Sequence, residues 1–269
     1  NYPLFMNIIS VFMYIPMSFA YIIPVVSFTD IIGKDQLEIP QYKFAVMGFL
    51  DSLAGIMAVF AINFIPNASM IVLVQQSAIP ISMGISFIWL AARYTKWQYL
   101  GAAITLLGIF IAIIPDMVGH GASADPTAPV AEPSPASNTM MWYVVLILSC
   151  VPMCFSSVYK EKALGELDID VVYLNGWVAV YQFLFAIPLC IPSAALTGMS
   201  IPEIMPNMYS GWLCYLGYDS LESDDCSMSF IYVTSYLAFN LIYNILMILI
   251  LKLGSSNILW LASTVIVPV

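Results

Sequence analysis

The chain has 269 residues, 61% of them hydrophobic and 9% charged, with a formal net charge of −9. An ordinary soluble domain carries about 25% charged residues because water demands a polar surface, so this chain is built for an apolar solvent. Its seven basic residues are scattered and give no footprint for a nucleic-acid partner, so none is expected.

Eight apolar segments follow in order: Pro3–Phe28, Tyr42–Phe64, Ala68–Ala91, Trp97–Pro115, Met140–Tyr159, Val171–Pro192, Met228–Leu251 and Ser255–Val269. Most come close to the roughly 20 residues that a helix needs to cross the hydrocarbon core. Backbone groups in lipid must pair within their own segment, so the expected fold class is all-α, a polytopic transmembrane helix bundle. The alternating polarity of a membrane β-barrel is absent. The opening Asn1–Phe28 run lacks a basic leader and is too long for a signal peptide. Residue 1 is Asn, and the chain stops inside an apolar run at Val267-Pro268-Val269, so a fragment is expected.

Charge placement orients the segments. Lys34 and Lys43 lie between the first and second, Arg93 and Lys96 between the third and fourth, Lys160 and Lys162 after the fifth, and Lys252 between the last two. The intervening connections, Asn63–Asn67, Asp116–Thr139 and Ser193–Ser227, hold no Lys or Arg. Every basic residue therefore falls on one side, which the positive-inside rule makes cytosolic. Of the opposite loops, 117–139 is rich in Ala, Pro, Ser and Gly and reads as a disordered lumenal linker between halves 1–116 and 140–269. In the loop 193–227, Ile201, Ile204, Met205, Met208, Trp212 and Leu213 recur at helical spacing. That pattern suits a short helix or two lying in the interface, or an apolar loop packed on the bundle. Leu73 through Pro80 also aligns on Leu261 through Pro268, a faint internal repeat in hairpins of opposite sense. Inverted repeats recur in secondary transporters.

Polar residues inside the spans are the candidate substrate path. Asp51 is the one acidic residue deep in a predicted span, and an intramembrane carboxylate usually faces a wet cavity or a partner; the alternative is a cap nearer the helix end. Gln75 and Gln76 lie mid-segment before Pro80, while Asn175 and Gln182, and Asn240 and Asn244, are pairs whose spacing puts each on one helix face. Neutral amides suit a cavity that binds and releases polar solutes, and helix–helix hydrogen bonding would explain them as well. Pro80, Pro152 and Pro268 are candidate kinks. Cys214 and Cys226 bracket Tyr215–Asp225 in a non-cytosolic loop and are expected to form a disulfide. Cys150, Cys154 and Cys190 read as small core residues, His120 as a solvated linker residue, and Asn67 as a helix cap. No nucleophile–base set, phosphate-cradling loop or metal-ligand cluster is legible, so no enzyme activity, cofactor or metal is expected.

The stretch Leu50-Asp51-Ser52, then Val74-Gln75-Gln76-Ser77-Ala78-Ile79-Pro80-Ile81 and Tyr99-Leu100-Gly101-Ala102, resembles the chloroquine-resistance-transporter-like family of the drug/metabolite transporter superfamily. So do Val151-Pro152-Met153-Cys154-Phe155-Ser156-Ser157, Lys160-Glu161, Asp168-Ile169-Asp170, Leu174-Asn175 and the loop with Cys214 and Asp224-Asp225-Cys226. The resemblance is collinear over nearly the whole chain. It implies ten helices, of which this chain holds helices two to nine with the last incomplete, arranged as two halves around a central cavity. It also implies export of small-molecule solutes (peptides, amino acids, thiols or cationic drugs) from an acidic vacuolar, lysosome-like or plastid lumen. Protons and the lipid bilayer are then the partners. One cysteine pair is available where the family's best-known drug carrier has two disulfides, and the helix carrying that carrier's selectivity position is absent, so drug transport does not carry over. Two rival readings remain: a nucleotide-sugar or triose-phosphate carrier, which would want basic groups inside a span, and a non-transporting scaffold or receptor, which needs no polar interior.

Overall fold

In the computed structural model the described residues are 2–29, 31–65, 67–117, 136–167, 169–196, 201–219 and 226–266. Pro268, His120, Asp125, Glu222, Asp224 and Asp225 lie outside them, as does the 117–139 linker except Met117 and its last four residues. The described residues are α-helix joined by short connections: α1 (Pro3–Phe28), α2 (Lys34–Leu37), α3 (Gln41–Phe64), α4 (Ala68–Gln75), α5 (Ala78–Trp89), α6 (Lys96–Met117), α7 (Ala136–Leu167), α8 (Val171–Leu196), α9 (Ile201–Tyr215), α10 (Ser229–Leu253) and α11 (Ser256–Ile266). Seven stretches are long and apolar enough to cross a membrane, from Phe5–Phe28 to Ser229–Leu253, with α4 and α5 together forming one of them. The chain is a multi-pass membrane protein. The eighth segment is present as the 11 residues of α11.

The chain divides into two compact units, Asn1–Ser52 with Ala163–Leu253, and Leu53–Lys162 with Gly254–Val269. In the first, α8 packs between α1 and α3. Phe12 meets Phe183 and Phe19 meets Trp177, so α1 and α8 are antiparallel; Phe44 meets Tyr173 and Phe49 meets Phe185, so α3 and α8 run parallel. Gly48 permits the second contact, since a Cβ there would stand 2.7 Å from the Gln182 backbone nitrogen. Four residues on, Ser52 donates from Oγ to the Gln182 carbonyl at 2.9 Å. Two small residues four apart let backbones approach, the usual device where lipid supplies no hydrophobic force between helices.

One end of this unit is polar. Asp170 caps α8, its Oδ1 accepting from the backbone N–H groups of Val172 and Tyr173 at 2.9 Å each. Its own N–H donates to Gln36 Oε1, and Lys252 Nζ donates to the Ile169 carbonyl at 3.0 Å. At the other end α9 is stapled to α1 and α10. Phe5 meets Trp212 edge-on and Tyr215 at a tilt, and Tyr215 shares a hydrogen bond with Thr234. Gly217, with φ +92°, closes α9: its N–H reaches the Cys214 carbonyl and the Tyr218 N–H reaches Leu213. That pair of bonds is a Schellman ending, which wants a glycine. Cys214 and Cys226 are joined by a disulfide with Cα atoms 5.0 Å apart. The 201–215 stretch is thus one helix that runs through Pro206 and is seated on its neighbours.

In the second unit, Ala61, Ile65, Val74, Ile109, Ile113, Tyr143 and Leu146 form a dry core at one end, beside a stack of Phe64 on Trp142. At the other end Trp89 packs on Phe155 and Tyr159. Here Glu161 Oε2 accepts from the Ser256 N–H at 2.7 Å, placing a carboxylate at the N-terminus of α11, where the helix dipole favours it. Ser82 and Ser256 share a buried hydrogen bond of 2.9 Å, and Asn257 donates to Tyr94.

Candidate functional site

In the first unit the polar residues organise around α1. Ser10, Tyr14 and Ser18 recur every four residues and so form one stripe on a largely apolar helix. Asn175 of α8 is buried and donates from Nδ2 to Ser18 Oγ at 3.4 Å. Tyr14 donates its hydroxyl hydrogen to Asn240 Oδ1 and accepts from Asn244 Nδ2 at 3.1 Å. Asn244 Nδ2 also approaches the Asn240 carbonyl at 2.9 Å and Oδ1 at 2.7 Å, and Asn240 Nδ2 donates to the Tyr236 hydroxyl at 2.9 Å. Tyr14, Ala179 and Leu241 close one side of this cluster with apolar contact.

Three of the amides read from the sequence, Asn175, Asn240 and Asn244, are therefore tied to one stripe of α1. Sequence reasoning found the amides and missed Ser18, Tyr14 and Tyr236. A signal was present: the four-residue spacing of Ser10, Tyr14 and Ser18, and of Tyr236, Asn240 and Asn244, repeats one helix face. Gln182 lies on α8 in the same unit, and its backbone forms the contact with α3. Asp51, half-buried, is the eleventh residue of α3, about 15 Å from the helix start at 1.5 Å per residue, which puts it at mid-span and not at a cap.

The second unit holds Gln75 and Gln76, half-buried at the junction of α4 and α5. Here the helix breaks. Pro80 has no N–H to return to the Gln76 carbonyl, and that carbonyl accepts instead from the Ile79 N–H at 3.1 Å. The tighter i→i+3 pattern makes a turn at Gln76 and Ser77, so the expected kink at Pro80 takes the form of an interrupted helix. Cys154 leans on this junction, its thiol donating to the Ala78 carbonyl at 3.3 Å, and Ser77 beside it is buried. At Pro152, by contrast, α7 continues unbroken from Ala136 to Leu167. Among the described residues no three His, Cys, Asp or Glu side chains gather where a metal could bind.

The family model described as CRT-like, chloroquine-resistance transporter-like, matches residues 1–269. The chain belongs to this family. Its relatives include Crt homolog 3 of Dictyostelium discoideum, 30% identical over 295 residues that take in the whole of this chain and 58% of that protein. The chloroquine resistance transporter of Toxoplasma gondii is 29% identical over the whole chain and 31% of its own length. Protein CLT1, chloroplastic, of Arabidopsis thaliana is 25% identical over the whole chain and 58% of its own length. This CRT-like chain therefore spans between about a third and three fifths of these relatives.

Proposed function

We propose that the protein is a secondary transporter that moves small polar solutes (peptides, amino acids, thiols or organic cations) from the lumen of a vacuole-like or plastid compartment to the cytosol, driven by protons. The supporting observation is the mutual hydrogen bonding of Tyr14, Tyr236, Asn240 and Asn244 inside membrane-spanning helices. An unpaired amide buried in protein costs about 1–3 kcal/mol, so such groups persist where they hold each other or serve a wet path. The names of the relatives, chloroquine resistance transporters among them, agree in class, and the chloroplastic relative makes a plastid one candidate membrane.

In this reading Asp51, Gln75, Gln76, Asn175, Gln182, Asn240 and Asn244 line the path. The helix interrupted at Gln76 and Ser77 belongs to the path in this reading, as broken helices do at transporter sites. Asp51 is the coupling group: a carboxylate reached in turn from each side carries a proton with the solute. The test is uptake of labelled solutes into proteoliposomes of the full-length protein, with and without an inward-acid gradient. Uptake that exceeds that of protein-free vesicles and rises with the gradient supports the reading; no uptake of any of the four solute classes overturns it.

A further inference from the structure

The hydrogen-bond chain in the first unit has a direction, and its direction names a residue. Asn244 donates to Tyr14, Tyr14 donates to Asn240, and Asn240 donates to Tyr236. Each hydroxyl has a single hydrogen, and Tyr14 has spent its own on Asn240 Oδ1. At the far end the Tyr236 oxygen accepts, so its hydrogen is the hydroxyl donor that the chain leaves unspent. Tyr14 is buried, whereas Tyr236 is 52% exposed, so the chain begins inside the helix packing and ends at an open face. Tyr236 is the eighth residue of α10, about 10 Å from the helix start, deeper than the headgroup level where a tyrosine hydroxyl meets water by itself. A hydroxyl donor held there against hydrocarbon would be unpaired at a cost, while against a polar solute it is paired.

We propose that Tyr236 is a specificity-determining residue of the solute path, donating its hydroxyl hydrogen to a carbonyl or carboxylate oxygen of the solute, with Asn240, Tyr14 and Asn244 as the positioning residues behind it. Successive donation polarises each member of such a chain, so the terminal donor is stronger than an isolated phenol. No cation belongs to the cluster, so it reads an acceptor oxygen and not a net charge. The acceptor oxygens of Asn240 are already engaged by Tyr14 and Asn244. The preferred solute class is thus rich in acceptor oxygens. This inference rests on the transporter reading above.

The experiment uses the full-length protein in proteoliposomes with two labelled probes, trialanine, which is rich in acceptor oxygens, and tetraethylammonium, which has none. Tyr236→Phe is expected to raise the KM for trialanine roughly tenfold with Vmax nearly kept, the equivalent of about 1.4 kcal/mol. Its folded yield should match the parent. Tyr232→Phe removes an exposed hydroxyl one turn away that lies outside the chain of donors, and should leave KM unchanged. A parent that transports trialanine while Tyr236→Phe keeps its KM overturns the inference and leaves the transporter reading standing. Equal KM increases for both probes also overturn it, because they mark a packing effect. A parent that does not take up trialanine overturns the inference, while the transporter reading stands or falls on the other solute classes.

Discussion

Asp51 sits at mid-span on α3, half-buried, next to the serine that ties α3 to α8. The Ser52 Oγ bond to the Gln182 carbonyl joins the two helices and does not pass through the carboxylate. Asp51→Asn keeps the shape and removes only the titration. The expected outcome is loss of gradient-driven uptake with folded yield nearly unchanged, read by proteoliposome transport at matched and opposed pH; full pH dependence in the variant would sink the coupling role. Tyr14 makes a different claim at the same scale. Tyr14→Phe strips a donor from Asn240 and an acceptor from Asn244 at once. Interhelical hydrogen bonds in membranes are worth roughly 0.6 kcal/mol on average, so a loss of about 1 kcal/mol is expected for the two. Thermal unfolding in detergent or lipid would measure it.

At the scale of elements, the close approach of α3 to α8 depends on Gly48. A methyl group there would meet the Gln182 nitrogen at 2.7 Å and Tyr181 Cβ at 2.8 Å, both parts of a helix backbone or its root, which cannot step aside. Gly48→Ala should therefore cost about 1–3 kcal/mol as an overpacked contact. Gly55→Ala, on the same helix with open space around it, should be neutral or slightly stabilising, because glycine is a poor helix former. Comparing the melting temperatures of the pair separates packing from propensity; equal losses would refute the contact. The helices themselves were legible because an apolar run of span length has one backbone solution in lipid, and α8 begins at Val171 as read from the pattern. The break inside the third span was not. Its apolar run continues across Gln75–Ser77, and Pro80 marks a disturbance without saying whether the helix bends or stops. What decides is the local choice of carbonyl for the Ile79 N–H. The partners of the amides were hidden for a related reason: spacing shows which residues share a face, but Tyr14 and Asn240 are 226 positions apart, and only packing brings them together.

For the whole molecule the arrangement of charge and disulfide makes a single statement about sidedness. Within the first unit Lys252 meets the start of α8, and the disulfide-bearing connection lies at the opposite end of α10. Within the second, Lys160 and Lys162 flank the Glu161 that caps α11, near the Tyr94 and Trp89 that adjoin Arg93. Each unit by itself therefore gathers its basic residues at one end. The cost of moving Lys or Arg across the bilayer during insertion predicts a cytosolic position for that end, and for the other end a lumen oxidising enough to keep Cys214 and Cys226 joined. Single cysteines introduced at Arg93, Lys160 and Lys252 in the full-length protein should react with a membrane-impermeant maleimide added from the cytosolic side only. Cysteines at Asp125 and Glu222 should react only from the lumen. Cys214→Ser should lower folded yield without shifting solute preference, since closing a loop with a sequence separation of 12 is worth about 2–3 kcal/mol in the chain-entropy model and the pair lies outside the polar cluster. Labelling of any one of the three basic positions from the lumen would overturn the orientation, and with it the proposed direction of transport.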